Sequence, residues 1–167
     1  MRKYNVAVVG ATGAVGEEMR LVFDIEANGL LLEADKIWFI AAKELGIDTV
    51  YEFYPDEIEE GIKFLSQADT LIGHNISGYD LPLIYKLHGV DLRFKDREDT
   101  QVMSFLLNPD RGGHSLEDWA IRLKLAEQKV QNEDWSKFTP VMRERCVSDV
   151  LINERVYYAL KEEMACD

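Results

Sequence analysis

Basic side chains are scarce in this 167-residue chain: 19 Lys and Arg stand against 31 Asp and Glu, a formal net charge of -12 at pH 7. Phosphate backbones select basic surfaces, so by the usual charge rule this balance argues against a nucleic-acid partner. Cysteine is scarce too. Cys146 and Cys166 make no disulfide framework, and a reducing, cytoplasmic compartment is the default. No apolar run reaches the roughly 18 residues of a bilayer-spanning helix, so no membrane association is expected. The stretch from Val6 to Val9 is too short for a signal peptide. Histidine gives no zinc pattern, because His74, His88 and His114 lie 14 and 26 residues apart. Internal repeats and low-complexity tracts are absent as well. What is present is an apolar fraction of 47% and a mean hydropathy of -0.21. Those values fit one globular domain with a sizeable core.

The chain has two beginnings. Residues 4–9 form a short apolar run that ends in Gly10-Ala11-Thr12-Gly13-Ala14-Val15-Gly16, a G-x-x-G-x-x-G loop. After a strand, such a loop opens a helix whose N-terminal amides cradle a phosphate. Residues 1–19 resemble the start of aspartate-semialdehyde dehydrogenases, which implies Gly10, Gly13 and Gly16 as NADP contacts. A second strand, residues 20–26 (RLVFDIE), follows after only Glu17, Glu18 and Met19. A βαβ crossover needs about 10 to 12 residues, so the two readings are incompatible at full length. Either residues 17–32 are one helix, or residues 20–26 are a strand. The β-formers Val22, Phe23 and Ile25 and the helix-breaking Asn28-Gly29 favour the strand. The expected organisation is a leader or fused segment over 1–19, with Met19 placed where an independent chain could start, and a domain over 20–167.

From residue 20 the pattern is regular. Residues 36–42 and 49–54 read as further strands of an antiparallel meander, and Pro55 opens an acidic amphipathic helix to about Gln67. Residues 70–73 form a short strand. Helices are expected over 79–87, over 99–107 with a stop at Asn108-Pro109, from a Ser115 cap with Asp118 to about Leu125, and from Pro140 to Glu163. Residues 126–138 read as loop. The fold class is α/β, with a mixed sheet of three meander strands plus parallel strands flanked by helices.

Acidic residues carry the chemistry. Asp24 and Glu26 are i and i+2 on one strand and so project from the same face. Paired carboxylates repel unless a cation joins them or one is protonated, and hard divalent ions favour oxygen ligands. Asp80 opens a helix after the segment Gly73-His74-Asn75-Ile76-Ser77-Gly78-Tyr79, and Asp149 lies inside the last helix.

On these segments the chain resembles the DEDD (DnaQ-like, RNase H-like) 3′–5′ exonucleases, in particular the proofreading domain of family A phage DNA polymerases. The motifs are Phe23-Asp24-Ile25-Glu26, Asn75 through Asp80, and the stretch ending at Asp149, with Glu98-Asp99-Thr100 and residues 113–123 also alike. The resemblance spans about residues 20–165. It implies that Asp24, Glu26, Asp80 and Asp149 hold two Mg²⁺ or Mn²⁺ ions around a scissile phosphate of DNA, releasing 5′-mononucleotides from single-stranded 3′ ends. It also implies that Ala27, Asn28 and Leu30 line a terminal-nucleotide pocket, that Asn75 contacts the substrate or braces the motif, and that Tyr79 belongs to the substrate side. The cell would be bacterial or phage-infected. The chain ends just past the nuclease region, so no polymerase domain is expected. The domain would then work alone, or as a fragment or subunit beside a polymerase or other replication protein.

One position departs from that pattern. Where the family has a tyrosine four residues before the last aspartate, or a histidine five before it, this chain has Arg145 and Glu144. Arg145 shares a helix face with Asp149 and, being permanently protonated, cannot serve as a base. It is expected to pair with Asp149 or to grip a phosphate, with turnover reduced. Two rival readings follow: an NADP-binding oxidoreductase fragment, and a catalytically impaired nucleic-acid-binding module. Residues 1–19 carry two basic and two acidic side chains, so the whole charge of -12 belongs to the remainder. Bound cations would offset part of its repulsion of phosphate.

Overall fold

The computed structural model describes residues 18–125 and 134–166. Among these residues five strands form one sheet, β1 (Arg20–Ala27), β2 (Ile37–Glu44), β3 (Val50–Phe53), β4 (Thr70–Gly73) and β5 (Asp96–Asp99), in the order β3-β2-β1-β4-β5. β1 pairs antiparallel with β2 and β2 with β3, while β4 runs parallel to β1 and β5 parallel to β4. This is the meander plus parallel strands expected from the sequence. Residues 20–27 are a strand, which excludes a helix over 17–32. Gly10, Gly13 and Gly16 lie outside the described residues. Met19 is already tied to the sheet, since its carbonyl accepts hydrogen bonds from the Asp69 and Thr70 amides at 2.8 and 3.3 Å.

Among the described residues five helices cover the sheet: α1 (Ile58–Leu65), α2 (Asp80–His88), α3 (Thr100–Leu107), α4 (Leu116–Arg122) and α5 (Pro140–Cys166). Strand alternation divides β1 between two layers. Leu21, Phe23, Ile25 and Ala27 join the core under α1 and α2, where Ile62, Leu65, Leu81 and Ile84 pack. Val22 faces the other way, with Phe39, Ala41 and Ile72, against Cys146, Val150 and Tyr157 of α5. Asp24 and Glu26 follow Val22 on that second face. The charged pair is therefore placed beneath α5 by the strand period alone.

Local chemistry sets the helix ends. Gly89, in the left-handed region at φ 69°, closes α2. The Asp99 side chain caps α3 by accepting from the Gln101 and Val102 amides. Ser115 and Asp118 form the anticipated capping box at the start of α4. One element was not anticipated. β5 is Asp96-Arg97-Glu98-Asp99, four charged residues without an apolar period, and it pairs with β4 at the sheet edge. Among the described residues, no helix is long and apolar enough to cross a membrane.

Candidate metal centre

Two elements bring three carboxylates to one place. β1 supplies Asp24 and Glu26, α5 supplies Asp149, and ligand-type oxygen atoms of all three lie within 4.8 Å of one another. Glu26 is 5% exposed and Asp149 6%, so the charges are largely withdrawn from water. Asp80, 3% exposed at the first turn of α2, is not one of the three. It nevertheless adds its field to Asp24, and Glu26 in turn acts on Asp80.

The electrostatics record the crowding. Burial, and then the charges of Asp149, Asp80 and Glu26, hold the Asp24 carboxyl well above its ordinary range. Burial likewise raises Asp80, with hydrogen bonds from the Asp80 and Ile25 backbone offsetting part of the effect and Glu26 and Asp99 adding to it. One Asp80 oxygen, Oδ1, is buried without a hydrogen-bond partner. Buried carboxylates in this state take a proton or a cation. Hard oxygen donors this close suit Mg²⁺ or Mn²⁺, so the residues present fit a divalent ion.

The loop from β4 to α2 is braced from below. The Asp99 carboxylate accepts from the amides of Asn75 (2.9 Å) and Ser77 (3.0 Å) as well as capping α3. Asn75 takes a left-handed conformation at φ 62°, and its carbonyl accepts from the Gly78 and Tyr79 amides. Asparagine tolerates that backbone region better than most residues. Thr100 links the same loop to α5, donating to Asn153 Oδ1 at 2.6 Å and lying 2.9 Å from His74 Nδ1. Gly73 permits a close approach, because a Cβ there would sit 2.0 Å from Ile76 Cγ2.

Of the expected pocket residues, Ala27 ends β1 and Asn28 and Leu30 follow it. Ala27 is buried in the core at the end of β1. Asn28 ties its own loop shut, donating to Asp35 (2.6 Å) and accepting from the Asp35 and Lys36 amides. Leu30 projects outward at 73% exposure. Tyr79 donates its hydroxyl to the Gly29 carbonyl at 2.7 Å. Burial, then the charges of Asp80, Glu26 and Asp24, pushes its phenol up to about 12, so it stays a donor at neutral pH. Lys86 is an unforeseen partner of this loop, donating to the carbonyls of Leu31, Leu32 and Ala34 at 2.6 to 3.0 Å. No apolar period or motif marks that role, which exists only through tertiary contact.

Arg145 lies in the centre itself. Its Nε is 2.9 Å from Glu26 Oε1 and 4.0 Å from Asp149 Oδ2. Pairing with Asp149 was expected; the shorter contact is to Glu26. The Trp135 ring centroid lies 5.5 Å from the guanidinium carbon, and Trp38 Nε1 donates to the Trp135 carbonyl at 3.0 Å. Cys146, one residue on, is fully buried and donates to the Asp24 carbonyl at 3.3 Å. Burial and the charges of Asp24 and Glu26 push its thiol up, so it is no nucleophile.

A mixed five-stranded sheet with this strand order, helices on both faces and acids at its centre has the RNase H-like fold. Solved structures of nucleases share it. NrnC of Brucella melitensis, determined with bound Mg²⁺ and bound to pGG, superposes with TM-scores of 0.68 and 0.71 at 18% and 19% identity. Both alignments cover 90% of this chain and 76% of that one. Escherichia coli RNase D, an exoribonuclease involved in structured RNA processing, aligns at a TM-score of 0.66 and 15% identity, over 88% of this chain and 40% of that one. E. coli Exonuclease I in complex with a dT13 oligonucleotide aligns at 0.62 and 14%, over 89% and 42%. No family model and no curated protein matches the sequence.

Proposed function

We propose that the chain is a metal-dependent 3′–5′ exonuclease that hydrolyses phosphodiester bonds at single-stranded 3′ ends of DNA and releases 5′-mononucleotides. The observation that carries this reading is the convergence of Asp24, Glu26 and Asp149 within 4.8 Å, with Asp80 buried at the first turn of α2. The fold shared with NrnC, RNase D and Exonuclease I supports it. The choice of DNA rests on the motif resemblance to proofreading domains and on the oligonucleotide in the Exonuclease I complex.

Asp24, Glu26, Asp80 and Asp149 would hold Mg²⁺ or Mn²⁺, in the two-ion arrangement that this class of chemistry uses. Bound divalent ions lower the pKa of an attacking water and stabilise the leaving 3′ oxygen. The chain's own residues then do three things. The four carboxylates fix where the cations sit, and the β4–α2 loop, braced by Asp99, sets the position of Asp80. Leu30, with Asn75 and Tyr79, would form the side against which a terminal nucleotide rests, while Ala27 in the core and Asn28 in its loop bonds would support that side from behind. Arg145 supplies no base, so removal of a proton from water is left to solvent or to a carboxylate, and slow turnover follows.

Incubation of 5′-labelled single-stranded DNA and RNA with Mg²⁺, Mn²⁺ or EDTA tests this. A metal-dependent 3′ ladder on DNA that vanishes in Asp24→Ala supports it. Digestion of RNA alone overturns the choice of DNA, and no digestion of either polymer overturns the activity. Arg145→Tyr should raise the rate if the departure limits turnover.

A further inference from the structure

We propose that Arg145 is the resident counter-cation of the acidic centre and competes with divalent metal for Glu26 and Asp149; this rests on reading the centre as a metal site. The guanidinium is placed on two of the three carboxylates that converge within 4.8 Å, at 2.9 Å from Glu26 and 4.0 Å from Asp149. All three side chains of this arrangement are withdrawn from water, at 18% exposure for Arg145, 6% for Glu26 and 8% for Asp149. A hard ion binds carboxylate oxygen at about 2.0 to 2.2 Å, so it would draw on the same two carboxylates that face the guanidinium. Arginine does not lose its proton in proteins, so neutralisation is no exit from the site. A divalent ion on these carboxylates would meet a fixed positive charge at close range, and that repulsion sets the guanidinium and the metal in competition.

The surroundings make the pairing a held one. Trp135 lies against the guanidinium at 5.5 Å, and Trp38 fixes the Trp135 carbonyl at 3.0 Å. A cation packed on an indole face is favoured, increasingly so when water is excluded. Without metal, Arg145 offsets part of the charge of four clustered acids. Once displaced, its planar fork is suited to a phosphate, so a nucleic-acid backbone is the natural acceptor for the released charge. Metal entry and substrate contact are thereby linked through one side chain.

Calorimetric titration of the full chain with Mn²⁺ tests the competition without reference to activity. Arg145→Met should bind Mn²⁺ about tenfold more tightly than wild type, and its melting temperature in EDTA should fall because the acids have lost their counter-charge. Trp135→Ala should tighten Mn²⁺ binding by a smaller factor, since it loosens the guanidinium without removing it. Arg145→Lys keeps the charge and should bind as weakly as wild type, which guards against misreading an unfolded variant. Equal or weaker Mn²⁺ binding by Arg145→Met overturns the competition and leaves the metal centre standing. Folded wild type and Arg145→Met that both fail to bind Mn²⁺ overturn the competition and the metal centre together.

Discussion

Asp24→Asn should make the metal-free protein more stable while abolishing hydrolysis. Two unit negative charges 4.8 Å apart, the separation within which Asp24, Glu26 and Asp149 gather, repel by about 3 kcal/mol at an effective dielectric constant near 20. Arg145 relieves Glu26 and Asp149, whereas among the described residues Asp24 enters no ion pair. Protonation removes part of the strain, because burial and its acidic neighbours hold the Asp24 carboxyl well above its ordinary range. The amide removes the remainder, so we expect a gain of about 1 to 2 kcal/mol, or several degrees in melting temperature for a domain of this size. An acid whose folded pKa is raised weakens the fold once pH exceeds its ordinary value of about 4. The deficit grows until pH passes the raised value. The advantage of Asp24→Asn should therefore be larger at pH 8 than at pH 5. Urea denaturation in EDTA at both pH values measures it. Repetition in millimolar Mg²⁺ should stabilise wild type by mass action and the variant far less. The reasoning is refuted if Asp24→Asn is less stable than wild type in EDTA at pH 8, or if Mg²⁺ stabilises both proteins equally.

Asp99→Ala removes the acceptor for the amides of Asn75, Ser77, Gln101 and Val102. A cap alone is worth about 1 kcal/mol, so with the loop bonds urea denaturation should show a loss of about 2 to 4 kcal/mol. Gly73→Ala drives a methyl into Ile76 Cγ2 and to 3.2 Å from the Phe23 carbonyl. The cost should be about 1 to 3 kcal/mol, and weakened Mn²⁺ binding should accompany it because Asp80 shifts with the loop. Lys86→Met frees three loop carbonyls, and hydrogen exchange at the Glu33 and Ala34 amides should accelerate severalfold while β1 stays protected. For Glu98, burial works against ionisation, but hydrogen bonds from Tyr157 and Lys161 and the charges of Arg20 and Lys161 carry the carboxyl below its ordinary range. A lowered acid stabilises above its ordinary value and loses that contribution as pH falls through the folded value. Glu98→Gln should therefore melt lower than wild type at pH 7, and the gap should close toward pH 3.

The sheet was legible wherever burial imposes a period. Val22, Phe23 and Ile25, the run at residues 37–42, and Leu71-Ile72 are apolar because both faces of the sheet are covered. β5 was not legible, since its four charged side chains lie at an edge where pairing is set by the backbone of β4. The acids of the centre could be read from spacing and motif order, and Asp24 and Glu26 do share a face as the strand period requires. What sequence could not give is partnership across long separations. Asp99 read as the first residue of a helix and proves to be both its cap and the brace of the β4–α2 loop. Lys86, which no motif marks, closes a loop more than fifty residues away. Arg145 was visible as a departure, yet its preference for Glu26 over the aspartate one turn along its own helix depends on how α5 lies across β1.

A sheet can grow only at its two outer strands, and here the two are defended differently. At β5 the free edge is lined by ionised side chains, with Asp96 and Arg97 exposed. An incoming strand would have to lay its own side chains beside those charges. At β3 the sequence Val50-Tyr51-Glu52-Phe53 is the kind of short apolar strand that recruits partners, and its defence is a single acid. Glu52 is gripped at both oxygens by Arg143, at 2.6 and 2.7 Å. Among the described residues, a strand added to this sheet would thus meet an ion pair at one end and a charged composition at the other.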